Sequence, residues 1–299
     1  MLDELFEEGE FDDIESEEEL EKAVEEKMED YNRSPQELLG GLAPYQVAEL
    51  LYTDWPGPDS PITVHDNLPD SEANDVRFVH NARILLETAR KENGLPATNA
   101  GNFKRVVVSD FLERMELDPA RVEHIYEMNK VINEQDVPPL HILRVVLEVG
   151  DFLEKSSGNF RPTSKAISLL RPGRASGFLK ELFLTYFKEF NIAYFSRGKD
   201  WTEMQDTITY TFYQLSTYDE GWHPRSEFIE PLIIHKIKKL ADEDDWPSLD
   251  YYYSSRVLKP LKKFELVESK SFGEQHYYKK DTHYRKTPLF DRFMEFNFD

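Results

Sequence analysis

The residues best suited to contact a charged ligand lie close to the C-terminal end of the printed sequence. Residues 256–286 include nine Lys or Arg and four Asp or Glu, a local charge of +5. Lysine and arginine contact the phosphate groups of nucleic acids, so this cluster predicts a nucleic-acid-binding surface. The predicted contact residues are Arg256, Lys259, Lys262, Lys263, Lys270, Lys279, Lys280, Arg285 and Lys286. The alternative is a solvated face that balances acidic residues elsewhere in the chain.

Residue patterns for catalysis and for metal or cofactor binding are missing from the sequence. The 13 glycines never reach the spacing of a phosphate-binding loop, and no G-x-S-x-G sequence occurs. The chain has no cysteine, which excludes thiolate zinc sites and thiol proteases. His124 and Glu127 have the i, i+3 spacing of two metal ligands, but an exposed hydrogen bond on a helix is the simpler interpretation. We therefore predict no catalytic residue, metal or cofactor, and nothing indicates a small-molecule ligand.

The basic residues fall on a predicted helix and hairpin. The helix is capped by Ser248 and is expected to kink or restart at Pro260, because proline lacks an amide donor. Residues 264–267 are predicted as a strand and residues 277–285 as the returning strand. Thr287 and the proline that follows it have the pattern of a helix start. Helix, hairpin and helix in this order are typical of a winged-helix unit.

The same order of elements recurs at residues 140–170. A shift of 114 residues places Leu147, Asp151, Phe152, Leu153 and Glu154 on Leu261, Glu265, Leu266, Val267 and Glu268. A shift of 124 places Phe160, Arg161 and Thr163 on Tyr284, Arg285 and Thr287. The difference between the two shifts falls within the hairpin, where folds tolerate insertions. These matches predict a repeated unit, although any strand followed by a capped helix produces a similar pattern.

Three further expectations follow from this repeat. The hydroxyls of Thr163 and Thr287 are predicted to cap the helices that begin after them. In the upstream helix only His141, Arg144 and Glu148 are expected to face water, so that unit is predicted to serve packing. A fainter third copy is expected to begin at Val76, with the strand-to-helix junction at residues 95–98.

The fold class predicted from these patterns is mainly α with small β-hairpins, with tandem winged-helix-like units in a helical array. We expect an acidic, partly helical tail at 1–31, a helical domain at 32–137 and a compact winged-helix-like unit at 138–172. An aromatic-rich helical region at 173–245 and a C-terminal winged-helix-like unit at 246–299 complete the chain. The prolines of residues 55–69 predict an irregular surface loop, and the aromatic side chains of residues 178–195 predict core.

The two ends of the sequence carry opposite charge. The formal net charge of the 299 residues is −22, and residues 1–30 alone contribute sixteen Asp or Glu against two Lys. This segment is interpreted as a solubilising tail, a docking helix for a partner, or a mask for the basic surface. No apolar run approaches the length of a membrane span, so no membrane partner is expected, and a cytoplasmic location is predicted.

Several short segments also suggest a family. The sequences PDSPI around Asp59, LPATNAGN from Leu95, RVLKPLKKFELVE from Arg256 and KTPLF from Lys286 resemble an uncharacterised bacterial family of plasmid-type globular proteins. In that family the globular region is sometimes fused to a SEC-C zinc motif, which a chain without cysteine lacks. The resemblance covers residues 35–299 and implies no activity.

Together these observations favour a non-enzymatic interaction protein that binds nucleic acid through the basic C-terminal unit and is regulated by the acidic tail. Two alternatives remain open. One is a protein–protein adaptor or inhibitor that acts through its acidic surface in the manner of a DNA mimic. The other is an enzyme whose site is dispersed over several helices.

Overall fold

The computed structural model describes residues 16–196, 198–241, 248–272 and 281–298. These residues are mainly helical with small antiparallel sheets, which confirms the prediction of a mainly α protein with small β-hairpins. The α-helices are α1 Glu17–Arg33, α2 Pro44–Tyr52, α3 Asp70–Asp75, α4 Arg77–Lys91, α5 Arg105–Arg114, α6 Pro119–Met128, α7 Pro138–Val149, α8 Ser164–Leu169, α9 Ala175–Leu184, α10 Thr202–Asp206, α11 Ile208–Ser216, α12 Arg225–Ile229, α13 His235–Leu240, α14 Leu249–Tyr253, α15 Lys259–Lys263 and α16 Pro288–Phe293. The strands are β1 Ile62–Val64, β2 Leu95–Pro96, β3 Leu153–Ser156, β4 Asn159–Pro162, β5 His223–Pro224, β6 Val267–Phe272, β7 Asp281–Lys286 and β8 Met294–Phe296.

The first unit comprises α4, β2, α5, α6, α7 and the hairpin β3–β4. Its three-stranded sheet has the order β2-β4-β3, with Leu95 opposite Phe160 and Leu153 opposite Pro162. The sequence suggested that residues 95–98 belong to a third copy of the repeat, and the structure shows that they do not. This segment supplies the outer strand of this sheet, so the sheet crosses the predicted boundary between residues 137 and 138.

The second unit comprises α11, β5, α12, α13, the helix of residues 249–263 and the hairpin β6–β7. Its sheet has the equivalent order β5-β7-β6, with His223 opposite Tyr284 and Val267 opposite Lys286. The strand predicted at 264–267 begins only at Val267. Phe264 and Glu265, the first two residues of the predicted strand, end the helix instead, since the Phe264 N–H donates to the Pro260 carbonyl at 3.1 Å and Glu265 has a φ of 59°.

The junction between helix and hairpin is built alike in both units. The Phe152 N–H donates to the Leu147 carbonyl at 2.8 Å, and the equivalent Leu266 N–H donates to Leu261 at 3.0 Å. Both junctions pass through a left-handed residue, Asp151 with a φ of 56° in the first unit. The shift of 114 residues thus describes a repeated backbone conformation as well as a repeated sequence pattern.

The two threonines that follow the hairpins share one hydrogen bond and differ in another. The Thr163 hydroxyl donates to the Asp151 carbonyl at 2.7 Å, and the Thr287 hydroxyl donates to the Glu265 carbonyl at 2.7 Å. Thr163 also accepts from the Ala166 N–H at 3.2 Å and so caps α8 as predicted. Thr287 makes no side-chain capping bond to α16, which corrects that part of the prediction.

Two helical segments each contain one π-helical turn. Residues Thr185–Glu189 continue α9 in this form, and Ser254–Leu258 join α14 to α15. The second turn directly precedes Pro260, which cannot donate a hydrogen bond to the turn before it. The helix therefore continues through the proline to Lys263, without the restart that the sequence suggested.

A third, two-stranded sheet joins the proline-rich segment to β8. β1 pairs with β8 and places Ile62 opposite Phe296, so the proline-rich segment includes a short strand that the sequence analysis did not predict. One continuous apolar core joins both units, and the buried ring of Phe183 lies within 6.5 Å of those of Trp55, Phe212, Phe264 and Phe293. The aromatic segment is thus core as predicted. Its last two residues, Tyr194 and Phe195, are exceptions because they are exposed.

Within the described ranges, no helix combines the length and the apolar character needed to cross a bilayer.

Candidate functional site

Two of the predicted contact residues are buried and stabilise the fold. Arg256 is 1 % exposed, and its Nε donates to Ser196 Oγ at 2.7 Å while its Nη2 donates to a backbone carbonyl at 2.6 Å. Lys286 is 4 % exposed, and its Nζ donates to the Ser216 carbonyl and to Asp291 Oδ1, each at 2.8 Å. Neither cation is presented to a ligand, in contrast to the prediction.

The hairpin residues form a second group. Arg285 donates to one Glu268 carboxylate oxygen from Nε at 3.0 Å and from Nη2 at 2.8 Å, and its guanidinium lies 4.7 Å from the centroid of the Trp222 ring. Lys270 is exposed on β6. Lys279 and Lys280 lie outside the described residues. Among the described residues of β6, Lys270 is therefore the one exposed cation.

The remaining three predicted residues, Lys259, Lys262 and Lys263, converge on a cavity of about 450 Å³ between the two units. They all lie on α15. Two arginines of the first unit reach the same cavity, Arg77 at the start of α4 and Arg121 on α6. Sequence reasoning missed both arginines because they are far upstream and no local pattern marks them. The cavity therefore collects cations from both units.

Carboxylates only partly balance these cations. Glu116 and Asp118 are the two that line the cavity among the described residues, against five Lys or Arg. Arg77 pairs with Glu116 at 3.5 Å, and Lys262 Nζ donates to Ser269 Oγ. The positive excess therefore resides mainly in the three cations that remain, which are Arg121, Lys259 and Lys263.

These three cations form no ion pair with any residue in the described ranges. Burial, followed by the charges of Arg121 and Lys259, lowers the pKa of the Lys263 ammonium to about 8. Burial, followed by the charges of Arg121 and Arg225, also lowers the pKa of Lys259. A cation that is desolvated beside other cations gains more from a bound anion than a solvated one does. The arrangement therefore suits an anionic ligand.

Part of the cavity lining is apolar and aromatic. It is formed by Pro138 and Ile142 of α7, by Tyr186 and Phe190 at the π turn after α9, and by the exposed ring of Phe195. Lys263 Nζ lies 6.0 Å from the centroid of the Tyr186 ring, within reach of a cation–π contact. The lining thus offers both cations and apolar surface to one ligand.

Both π turns contribute to this cavity. Tyr186 belongs to the first turn and Ser255 to the second, and both line the cavity. π turns inside α-helices occur frequently at functional sites. Their positions support the assignment of the cavity as the candidate site.

A second cluster of charged residues is closed to solvent. The buried Glu134 carboxylate accepts from His141 Nδ1 at 2.6 Å, from Arg144 Nε at 2.7 Å and from the Phe103 N–H. His141 and Arg144 are therefore buried, whereas the sequence analysis placed them in water; only Glu148 is partly exposed. Burial alone would raise the pKa of Glu134, but these three hydrogen bonds together lower it. Through the Phe103 N–H this cluster ties α7 to the loop before α5.

The described part of the acidic tail packs away from the cavity. Ser16 Oγ accepts from the Glu19 N–H at 3.2 Å and caps α1, as predicted. Helix α1 contacts α2, and its described ion pairs, Lys22 with Glu26 and Arg33 with Glu29, are internal. Residues 1–15 lie outside the described ranges.

No group of three His, Asp or Glu side chains converges to hold a metal ion within the described chain. The His124 and Glu127 pair therefore has no third described ligand.

Comparison with known proteins gives one match. Residues 74–175 match the family model of the Y4jL N-terminal domain, about a third of the chain. The matched range runs from the end of α3 to the start of α9 and so contains the whole first unit. No curated protein and no solved structure matches the chain. Through its first unit the chain is similar to the Y4jL N-terminal domain.

Proposed function

We propose that this protein is a non-enzymatic binding protein with two winged-helix units, and that it holds nucleic acid in the cavity between them. The observation that supports the proposal most strongly is the convergence of Arg77, Arg121, Lys259, Lys262 and Lys263 from both units on one cavity. A phosphate group is the anion that such a cluster of lysine and arginine recognises in nucleic acids.

The topology supports the winged-helix part of the proposal. In each unit a short strand is followed by helices and then by a hairpin. The short strand pairs with the second strand of the hairpin, so the order of strands in the sheet is first, third, second. The helix that leads into the hairpin is the element that helix-turn-helix proteins present to nucleic acid. In the second unit this is the helix of residues 249–263, which carries three of the five cavity cations.

The aromatic wall supports nucleic acid as the anion. Aromatic side chains stack on unpaired bases, and such stacking contributes about 1–3 kcal/mol for each base. Phe195 supplies an exposed ring at the cavity, and the almost fully buried Tyr186 and Phe190 also line it. A single strand, whose bases are free to enter, therefore fits the cavity better than a duplex does.

The test is fluorescence anisotropy with labelled single-stranded and duplex DNA and RNA at two salt concentrations. Arg121→Gln combined with Lys259→Gln removes two cations that have no described ion pair. We expect binding of a single strand to weaken at least tenfold and the salt dependence to become shallower by about two charges. The matched control is Lys236→Gln with Lys239→Gln, two exposed lysines of α13 with no described ion pair. Negligible binding by the unaltered protein would contradict the proposal.

The acidic tail is proposed to compete for the same cations. Residues 1–15 carry eight Asp or Glu and no Lys or Arg, and a tether raises their effective concentration near the fold. Removing them leaves α1 in place on α2. In the same assay we expect the shortened chain to bind more tightly than the full chain at low salt, with the difference disappearing above about 0.15 M, where exposed charges are screened. Equal binding at both salt concentrations would remove the tail from the proposal.

A further inference from the structure

The cavity carries a positive excess although the chain as a whole is acidic. Five Lys or Arg line it against two carboxylates, Glu116 and Asp118, whereas the net charge of the chain is −22.

The end of a strand also concentrates negative charge. A phosphate monoester carries about −1.5 to −2 charges near pH 7, compared with one charge on each internal phosphate. Arg121, Lys259 and Lys263 form no ion pair within the described ranges, so they are available to a group of this charge. Three such cations match a terminal phosphate better than an internal one.

The size and walls of the cavity fit one nucleotide. Its volume of about 450 Å³ lies in the range of small-molecule sites, about 300–1,000 Å³. Pro138 and Ile142 line it, and the exposed ring of Phe195 offers aromatic surface to a base. A cavity of this volume accommodates one nucleotide, and the remainder of a strand would lie outside it.

Lys263 is the residue that distinguishes this site from an ordinary basic surface. Its Nζ lies 6.0 Å from the centroid of the Tyr186 ring and has no described hydrogen bond. We propose that the cavity binds the terminal phosphate monoester of a nucleic-acid strand together with the nucleotide that carries it, and that Lys263 contacts the phosphate. This inference rests on the proposed nucleic-acid binding. The lowered pKa of Lys263 is consistent with it, because the amine gains an anionic partner on binding.

The experiment uses three single-stranded oligonucleotides of one sequence, with a 5′-phosphate, a 3′-phosphate or only hydroxyl ends, each labelled internally. Their binding to the full chain is measured by anisotropy at pH 7. We expect one phosphorylated end to bind at least tenfold more tightly than the hydroxyl ends, and a nucleoside monophosphate to compete with it. Lys263→Met should lower the affinity for the phosphorylated strand to the affinity measured for the strand with hydroxyl ends. Lys236→Met is the matched control and should leave the preference intact.

The outcomes separate this inference from the proposal beneath it. Equal binding of all three strands would overturn terminal-phosphate recognition and leave nucleic-acid binding standing. Binding of the nucleoside monophosphate without binding of any strand would overturn both the strand-end assignment and the proposed nucleic-acid function. A preference for one phosphorylated end that survives in Lys263→Met would overturn the role of Lys263. Thermal unfolding of each variant verifies that lost binding is not lost folding.

Discussion

The two units share a backbone and differ in what the helix before the hairpin presents. Asp151 and Glu265 occupy the same left-handed position, with φ values of 56° and 59°. Thr163 and Thr287 then donate their hydroxyls to those two residues, at 2.7 Å in each unit. With a shift of 114 residues, Lys259, Lys262 and Lys263 correspond to Val145, Glu148 and Val149.

This comparison shows how one scaffold can serve two purposes. In the first unit the charges next to the helix satisfy each other, because Glu134 holds both His141 and Arg144. In the second unit the lysines of α15 have no equivalent carboxylate among the described residues. A satisfied network stabilises the fold, whereas unpaired cations are available for a ligand. The first unit thus contains a satisfied charge network, and the second supplies three of the five cations that line the cavity.

The largest expected effect comes from breaking the network of the first unit. Glu134→Leu removes the carboxylate and leaves Arg144 and His141 buried without their partner. Losing one member of a buried charge network costs about 3–5 kcal/mol. Urea denaturation should show this loss in the free energy of unfolding. The control is Glu127→Leu on the exposed face of α6, which should change stability by less than about 0.5 kcal/mol. An unchanged midpoint for Glu134→Leu would mean that the network does not stabilise the unit.

The pH dependence of stability should identify the same residue. The pKa of Glu134 is lowered on folding from its ordinary value of 4.5. Its contribution is therefore fully present above pH 4.5 and is lost as the pH falls through the lower folded value. The difference in stability between the unaltered chain and Glu134→Leu should shrink in acid. A difference that stays constant down to pH 3 would contradict this assignment.

The next effect has the opposite sign and comes from the second unit. Lys263→Met removes a half-buried cation that has no described ion pair, so it should raise stability by about 1–3 kcal/mol near neutral pH. The folded pKa of about 8 lies below the ordinary 10.5, so the unfolded chain binds more protons between these values. The stability of the unaltered chain therefore rises with pH in that window. The advantage of Lys263→Met should be full below pH 8 and should disappear by about pH 10.5.

Several charged groups surround Lys263, so the comparison with the variant is essential. Arg77, Arg121, Lys259 and Lys262 share the cavity with Lys263, as do Glu116, Asp118 and the Tyr186 ring. The pKa values of Lys259 and Lys262 are also lowered, chiefly by burial. The charges of Lys259 and Lys263 repel each other, so the difference curve reports the titration of Lys263 together with this coupling. Destabilisation by Lys263→Met would show that the amine has a structural role instead of a binding role.

The sequence was sufficient to predict features carried by neighbouring residues. The turn at Ser157, the capping hydroxyl of Thr163 and the aromatic core around Phe183 all follow from local patterns. Features that depend on distant contacts were not predictable. β2 and β5 are two residues long and exist only because β4 and β7 pair with them. Tertiary contacts also determine that Arg256 and Lys286 are buried. They likewise place Arg77 and Arg121 at the cavity.

The smallest expected effect tests whether the two threonines differ as the structure shows. Thr163→Ala removes one donated and one accepted hydrogen bond, and Thr287→Ala removes the donated one. Capping hydroxyls contribute about 0.5–2 kcal/mol, so we expect a loss of about 1–2 kcal/mol for Thr163→Ala. Thr287→Ala should lose about 1 kcal/mol, the value of a single hydrogen bond. Thr→Ser at either position keeps the hydroxyl and should recover most of the loss. Urea denaturation of all four variants makes the comparison, and equal losses for the two alanine variants would mean that the bond to the Ala166 N–H contributes nothing measurable.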